Sequence, residues 1–203
     1  MIVTDITEFD KKRVKIFIDE EFAFVLYKGE LCDYGIEQGK ELKQEYYTLI
    51  TEELLVKRGK LRCMNLLQKK DYTEWQLRQK LMEGAYPQDV IEKAVEYVKS
   101  YHYIDDARYT KQYIGCYTAT KSRKQIEYDL IKKGILKDLI KDVFEDMENE
   151  GELADEAELI KDILKKKKYS STDADWKMKQ KMVAYLCNKG FSMEQIRRTL
   201  DIT

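Results

Sequence analysis

Three segments decide the reading of this chain: LRQKLMEGAYPQDVIEKAV at 77–95, IEYDLIKKGILKDLIKDVF at 126–144 and MVAYLCNKGFSMEQIRRTL at 182–200. Laid over one another without gaps, they agree in apolar character at Leu81, Leu130 and Leu186, and at Tyr86, Ile135 and Phe191. They agree again at Ile91, Ile140 and Ile196, and at Val95, Phe144 and Leu200. Gly134 and Gly190 share one column, one residue beyond Gly84. A glycine there suits a helix that stops in the left-handed conformation and is anchored by the next apolar residue. Each segment therefore predicts helix, glycine turn, helix. Ile126 lies 49 residues after Leu77 and Met182 lies 56 after Ile126, which is the spacing of a tandem helical array.

Working outward, Thr73-Glu-Trp-Gln76 precedes Leu77, and Ser122-Arg-Lys-Gln125 precedes Ile126. In a capping box the hydroxyl accepts from the backbone N–H three residues on, and that residue's amide reaches back to the cap. Two repeats thus open their second helix with one device. A first helix precedes each pair, over 61–70, 106–118 and 157–168, and the third helices run over 88–99 and 137–147. Three tandem three-helix repeats follow, and arrays of this kind bury their cores between neighbours and tend to be elongated.

Between repeats one and two stands YHYIDDARYTKQYIGCY, residues 101–117. Asp105 and Asp106 sit where a helix begins, a position in which carboxylates accept the first N–H groups and face the positive end of the helix dipole. A cap is the favoured reading of the pair over a catalytic one. Arg108, three residues after Asp105, is placed for an intrahelical ion pair. Tyr109, Tyr113 and Tyr117 recur every four residues on one helix face, which reads as packing in preference to a base-stacking platform.

The start of the chain is different in kind. Val14, Ile16 and Ile18 alternate with Lys15 and Phe17, Phe22 to Tyr27 is β-branched and aromatic, and Ile2 to Phe9 supplies a third strand across the Asp10 to Arg13 turn. A small antiparallel sheet of this size needs a helix against one face. Leu31 to Tyr34 reads as a short helix. The expected organisation is a strand-rich extension over 1–42 and helical repeats over 43–104, 105–149 and 150–203.

Composition narrows function. The 37 basic and 38 acidic residues leave a net charge of −1, which excludes a histone-like global field for nucleic acid. Cys32, Cys63, Cys116 and Cys187 are far apart and His102 is the single histidine, so neither a metal knuckle nor a histidine-based triad is expected. No cofactor or metal is expected. No apolar run reaches the length of a membrane helix and no signal peptide is evident; a cytoplasmic location is the expectation.

Glu145 to Glu158 is an acidic run without a basic residue, which reads as a solvated connector. Repeat three leans the other way, with Lys165 to Lys168 followed by Lys177, Lys179, Lys181, Lys189, Arg197 and Arg198. For partner contact the sequence offers Arg78 and Lys80 in repeat one, Arg123, Lys124, Lys132 and Lys133 in repeat two, and Lys177, Lys181, Arg197 and Arg198 in repeat three. Trp75 and Trp176 are not assigned between surface anchors and repeat junctions.

The runs Tyr72-Thr73-Glu74 with Leu77 to Leu81, Tyr103-Ile104-Asp105-Asp106-Ala107-Arg108-Tyr109, and Lys132-Lys133-Gly134-Ile135 resemble the RecX family of regulatory proteins, which modulate the bacterial RecA recombinase. The resemblance covers about residues 60 to 203, and the strand-rich start is similar to an extension in relatives from Gram-positive bacteria. It departs at His102, where the family usually has glycine; histidine is among the side chains that tolerate a left-handed backbone. The resemblance implies a non-enzymatic, monomeric regulator of homologous recombination and DNA repair. It implies binding to RecA within the groove of its filament on single-stranded DNA and inhibition of ATP hydrolysis and strand exchange. Two other readings stay open: a direct DNA-binding helix-turn-helix array, and an enzyme built on Asp105, Asp106 and scattered acids.

Overall fold

The computed structural model describes residues 1–170 and 174–200. They form two compact units, one over Met1–Asp105 and one from Asp106 onward.

The N-terminal unit opens with a three-stranded antiparallel sheet, β1 (Val3–Glu8), β2 (Arg13–Ile18) and β3 (Glu21–Tyr27), in the order β1-β2-β3. The period of two in β2 decides which face is inside: Val14, Ile16 and Ile18 are buried while Arg13, Lys15 and Phe17 keep partial exposure. Asp19 and Glu20 both take positive φ in the β2–β3 turn, the backbone twist that a tight hairpin demands. After the short α1 (Glu30–Asp33), the chain runs without a break through α2 (Gln44–Thr48), a π-helical stretch (Leu49–Leu54) and α3 (Leu55–Leu67). Ile50, Leu55 and Val56 meet Phe24, Leu26 and Ile16 there, which supplies the helical cover the sheet requires.

Repeat one continues with α4 (Glu74–Glu83) and α5 (Gln88–Ser100). Gly59 lets α3 and α5 touch, since a Cβ on it would stand 3.0 Å from Ala94 Cβ. In the C-terminal unit, α6 (Asp106–Tyr117), α7 (Arg123–Ile131) and α8 (Lys137–Asn149) form repeat two, and α9 (Glu156–Lys166), α10 (Trp176–Asn188) and α11 (Met193–Leu200) form repeat three. Each repeat has its own apolar core, around Leu81 and Ile91, around Leu130 and Ile140, and around Leu186 and Ile196. The four columns read from the sequence coincide with these cores, except that Tyr86 is only partly buried. Full burial of each aliphatic side chain contributes roughly 1.5–3 kcal/mol, so the repeats cohere by their apolar faces and not by helix propensity alone.

Helix ends follow one pattern. At the ends of α4, α5, α7, α8, α9 and α10, a residue with positive φ (Ala85, His102, Gly134, Gly151, Lys168 and Gly190) is followed by one whose N–H bonds back five residues. Tyr86 N–H donates to Leu81 O at 3.2 Å, Ile135 to Leu130 at 3.2 Å and Phe191 to Leu186 at 3.2 Å. These are Schellman closures, with the hydrophobic anchor packed on the helix it ends. In repeat one the left-handed position is therefore Ala85, φ 55°, and Gly84 is not the equivalent of Gly134 and Gly190. His102, φ 54°, stands in the left-handed conformation.

An alanine in that conformation crowds its Cβ against the following carbonyl, at about 1–2 kcal/mol, and glycine gives part of this back as chain entropy. Ala85→Gly is expected to raise stability by about 0.5–1 kcal/mol, read as a higher urea midpoint at unchanged slope. An unchanged or lower midpoint would contradict the strain assigned to Ala85.

Candidate partner-binding surfaces

Local chemistry places the signature residues first. Thr73 is fully buried and caps α4 with a complete box: its Oγ1 accepts from Gln76 N–H at 3.2 Å, and Gln76 Oε1 accepts from Thr73 N–H at 3.2 Å. Ser122 behaves differently from the sequence expectation. Its Oγ accepts from Gln125 N–H at 3.3 Å, but among the described residues the Gln125 side chain does not complete a box. Ser122 and Arg123 take further partners from repeat three. Ser122 Oγ donates to Lys189 O at 2.6 Å, and Glu156 Oε1 accepts from Arg123 N–H at 2.7 Å.

Glu156 also accepts from the Gln195 side-chain amide. One carboxylate in the first turn of α9 thus caps α7 and steadies α11, a role that no local pattern signalled. Ser192 and Gln195 form a further reciprocal pair at the start of α11, with N–H bonds of 2.9 and 3.2 Å. The Ser-x-x-Gln spacing shared with Ser122 would have found it. Asp175 caps α10 by accepting from Met178 N–H at 2.7 Å.

Most carboxylates of the acidic run are exposed, as a solvated connector requires, and several also find partners. Lys111 of α6 pairs with Glu150 at 2.6 Å and Glu152 at 3.2 Å, Arg123 pairs with Glu148 at 3.2 Å, and Asp155 caps α9. Hydrogen bonds to Glu150 and Glu152 hold the Lys111 ammonium above its ordinary pKa. The link from these acids to repeat two is made by Glu156, which accepts from Arg123 N–H. A cleft of about 400 Å³ lies at this joint, lined among others by Lys121, Arg123, Phe144, Glu148, Asp155 and Glu156.

Asp105 immediately precedes α6, which begins at Asp106, the location expected of a cap. Thr110, fully buried, returns its hydroxyl to Asp106 O at 2.6 Å. Tyr109, Tyr113 and Tyr117 are half-buried against the core of repeat two, with ring centroids 6.3 and 4.5 Å apart in succession. Tyr113 Oη donates to Asp129 at 3.2 Å, and Lys121 pairs with the same carboxylate at 2.7 Å. That hydrogen bond from Lys121 keeps Asp129 below the usual carboxylate range. Tyr103 is instead 45% exposed, stacked on Tyr101 at 5.8 Å.

The basic residues named for partner contact fall into distinct situations. Arg78 is held inside repeat one by Glu74 at 2.8 Å and Glu92 at 2.6 Å, while Lys99 holds Glu74 from the other side at 2.9 Å. The hydrogen bond to Glu92 leads in raising the Arg78 pKa. Lys80 pairs with Glu83 at 2.7 Å. Arg123 lies over the Phe144 ring at 4.6 Å. Lys132 and Lys133 lie just beyond the end of α7, over Tyr128 at 4.3 Å and Tyr113 at 5.3 Å. Lys124, Lys177, Lys181, Arg197 and Arg198 are exposed. Trp75 and Trp176 are 45% and 70% exposed, which identifies both as surface residues. Among the described residues no group of histidine, cysteine, aspartate or glutamate could hold a metal ion, and no helix is long and apolar enough to cross a membrane.

Tandem three-helix repeats that follow a small sheet in the sequence, with polar groups engaged in caps and joints, define a protein of the tandem-helical-repeat class. The comparisons name the family. Residues 60–97 match the first three-helix domain of RecX and residues 154–200 the third. The chain is 33% identical to the regulatory protein RecX of Caldanaerobacter subterraneus subsp. tengcongensis over the full length of both. It is 29% identical to that of Clostridium beijerinckii, covering 96% of this chain and 91% of the relative. The chain belongs to the RecX family of regulatory proteins. Among solved structures, a regulatory protein RecX superimposes with a TM-score of 0.65 at 24% identity, over 98% of each chain. RecX from Lactobacillus salivarius gives 0.60 at 22% identity, over 73% of this chain and 98% of that one. These two show the shared fold.

Proposed function

We propose that this protein acts in the cytoplasm as a monomeric regulator that binds RecA in the groove of its filament on single-stranded DNA and restrains ATP hydrolysis and strand exchange. The observation that carries the reading is membership of the RecX family along the whole chain, together with tandem repeats whose polar groups serve helix caps and joints. Repeats over 43–104, 105–149 and 150–203 supply several weak contacts on one chain, and linked contacts add as avidity. A ligand of this kind acts by binding one filament state better than another. Lys177, Lys181, Arg197 and Arg198 are the foremost contact candidates, because Arg78 and Lys80 would first have to give up partners within repeat one.

The helix-turn-helix DNA reading draws no support from α8, the third helix of repeat two. The exposed side of α8 carries Asp138, Asp142, Glu145, Asp146 and Glu148 against Lys137 and Lys141, and such a surface repels phosphate.

RecA ATPase on single-stranded DNA, titrated with this protein, tests the proposal. ATPase is expected to fall at well under one molecule per RecA protomer, and K177E/K181E/R197E/R198E is expected to need about tenfold more protein. Loss of ATPase only when the DNA itself is saturated would overturn the reading.

A further inference from the structure

We propose that the N-terminal unit carries a docking face for an uncharged, proline-rich segment of another protein, made by Tyr97, Tyr101 and Tyr103 and by the groove between α3 and α5. The inference goes beyond filament binding: the face uses none of the basic residues named for the recombinase, and its ligand is an extended chain and not a polyanion.

The rings are placed by the way α5 ends. His102 N–H donates to Lys99 O at 2.9 Å and Tyr103 N–H to Val98 O at 2.9 Å, and Ile104, next in the chain, is buried. This closure fixes the backbone that carries Tyr101 and Tyr103, which are 58% and 45% exposed with their rings stacked at 5.8 Å between centroids. Tyr97 continues the row at 5.0 Å from Tyr101. It also lines a groove of about 600 Å³ with Val56, Lys60, Glu92, Lys93 and Glu96. One turn of a polyproline II helix advances about 9 Å in three residues, which is the reach of this row of rings. Rigid aromatic side chains on a fixed backbone keep the ordering cost of binding low.

Charge selects the ligand. In the groove Lys93 is paired with Glu52, and Glu92 with Arg78 at 2.6 Å. Among the described residues this leaves Lys60, its ammonium 4.6 Å from the Tyr97 ring centroid, and Glu96, one charge of each sign. A polyanion therefore meets no net positive field here. Exposed rings without net charge suit a chain that binds by shape. Proline rings pack on aromatic faces, and a polyproline II helix has no internal hydrogen bonds, so its carbonyl groups are free to accept from tyrosine hydroxyls. Among the described residues neither the Tyr101 nor the Tyr103 hydroxyl has a partner. A proline-rich segment is also extended before it binds, so it loses little conformational freedom on docking.

The test is fluorescence anisotropy of a labelled, uncharged peptide of about twelve residues, mostly proline and so about four turns long, titrated with the full chain. Saturable binding is expected with a Kd below about 1 mM. Raising salt from about 50 to about 500 mM is expected to change it by less than about twofold, because no ion pair is formed. Y101A/Y103A is expected to lose at least about tenfold in affinity, as loss of central tyrosine anchors should, and Y101F/Y103F, which keeps the rings, to recover most of that loss. W75A removes another exposed aromatic ring of repeat one and is expected to stay within about twofold. Circular dichroism melting checks the fold of each variant. Absence of saturable binding would overturn the face. So would a serine-rich peptide of equal length binding as tightly, full affinity in Y101A/Y103A, an equal loss in W75A, or an affinity that falls steeply with salt.

Discussion

Gly190→Ala is expected to destabilise the C-terminal unit by about 3 kcal/mol, more than the same change at most glycine turns. Two effects add. Gly190 has φ +91°, a backbone that costs an L-residue about 1–2 kcal/mol. The added Cβ would also stand 2.6 Å from Ser122 Oγ, and that hydroxyl has no free direction in which to retreat. It is bonded to Lys189 O at 2.6 Å and to Gln125 N–H at 3.3 Å, so moving it sacrifices a buried hydrogen bond at about 1–3 kcal/mol. The measurement is the urea midpoint of the full chain, resolved by amide hydrogen exchange in α7 and α10. Repeating the substitution in a Ser122→Ala background separates the terms, since only the steric and hydrogen-bond part should shrink. A loss below about 1 kcal/mol in the wild-type background would mean that the close approach of Gly190 and Ser122 does not form.

The second large effect concerns the column of leucines. Leu81, Leu130 and Leu186 are each 0% exposed, and truncation to alanine at such sites costs about 2–5 kcal/mol, the spread reflecting how far the surroundings collapse into the cavity. They belong to three separate apolar cores, so the losses should be local. Leu81→Ala is expected to strip exchange protection from α3, α4 and α5 while leaving α7 and α8 protected, and Leu130→Ala to do the reverse. Uniform loss along the chain in either variant would show one cooperative block in place of separately stabilised cores. Leu186→Ala adds a finer comparison: repeat three is tied to repeat two through Glu156 and Ser122, so its damage should spread to the start of α7 but not to α4.

What was legible in the sequence is what short-range forces decide. Helix closure by a left-handed residue and an apolar anchor is a bond across five residues, and it shows as a column of Tyr86, Ile135 and Phe191 whether the preceding residue is Ala85 or Gly134. Thr73 and Gln76 form their box within one turn. The alternation in β2 and the four-residue spacing of Tyr109, Tyr113 and Tyr117 are likewise periods of a single element, and each predicted the face that is buried. The fold class and the family followed from these.

Tertiary structure alone decided the fate of groups with competing partners. Ser122 carries the same local signal as Thr73, yet its box stays open, and its hydroxyl donates to Lys189 O, 67 residues away. Glu156 caps Arg123 across 33 residues and holds Gln195 across 39. The acidic run is exposed as its sequence suggests, but that Lys111 would reach Glu150 across 39 residues could not be read from it. A charged or hydroxyl-bearing side chain satisfies whichever partner folding brings nearest. Its local sequence states what it can bond but not with whom, whereas an apolar side chain needs only to be buried, and periodicity already says on which side.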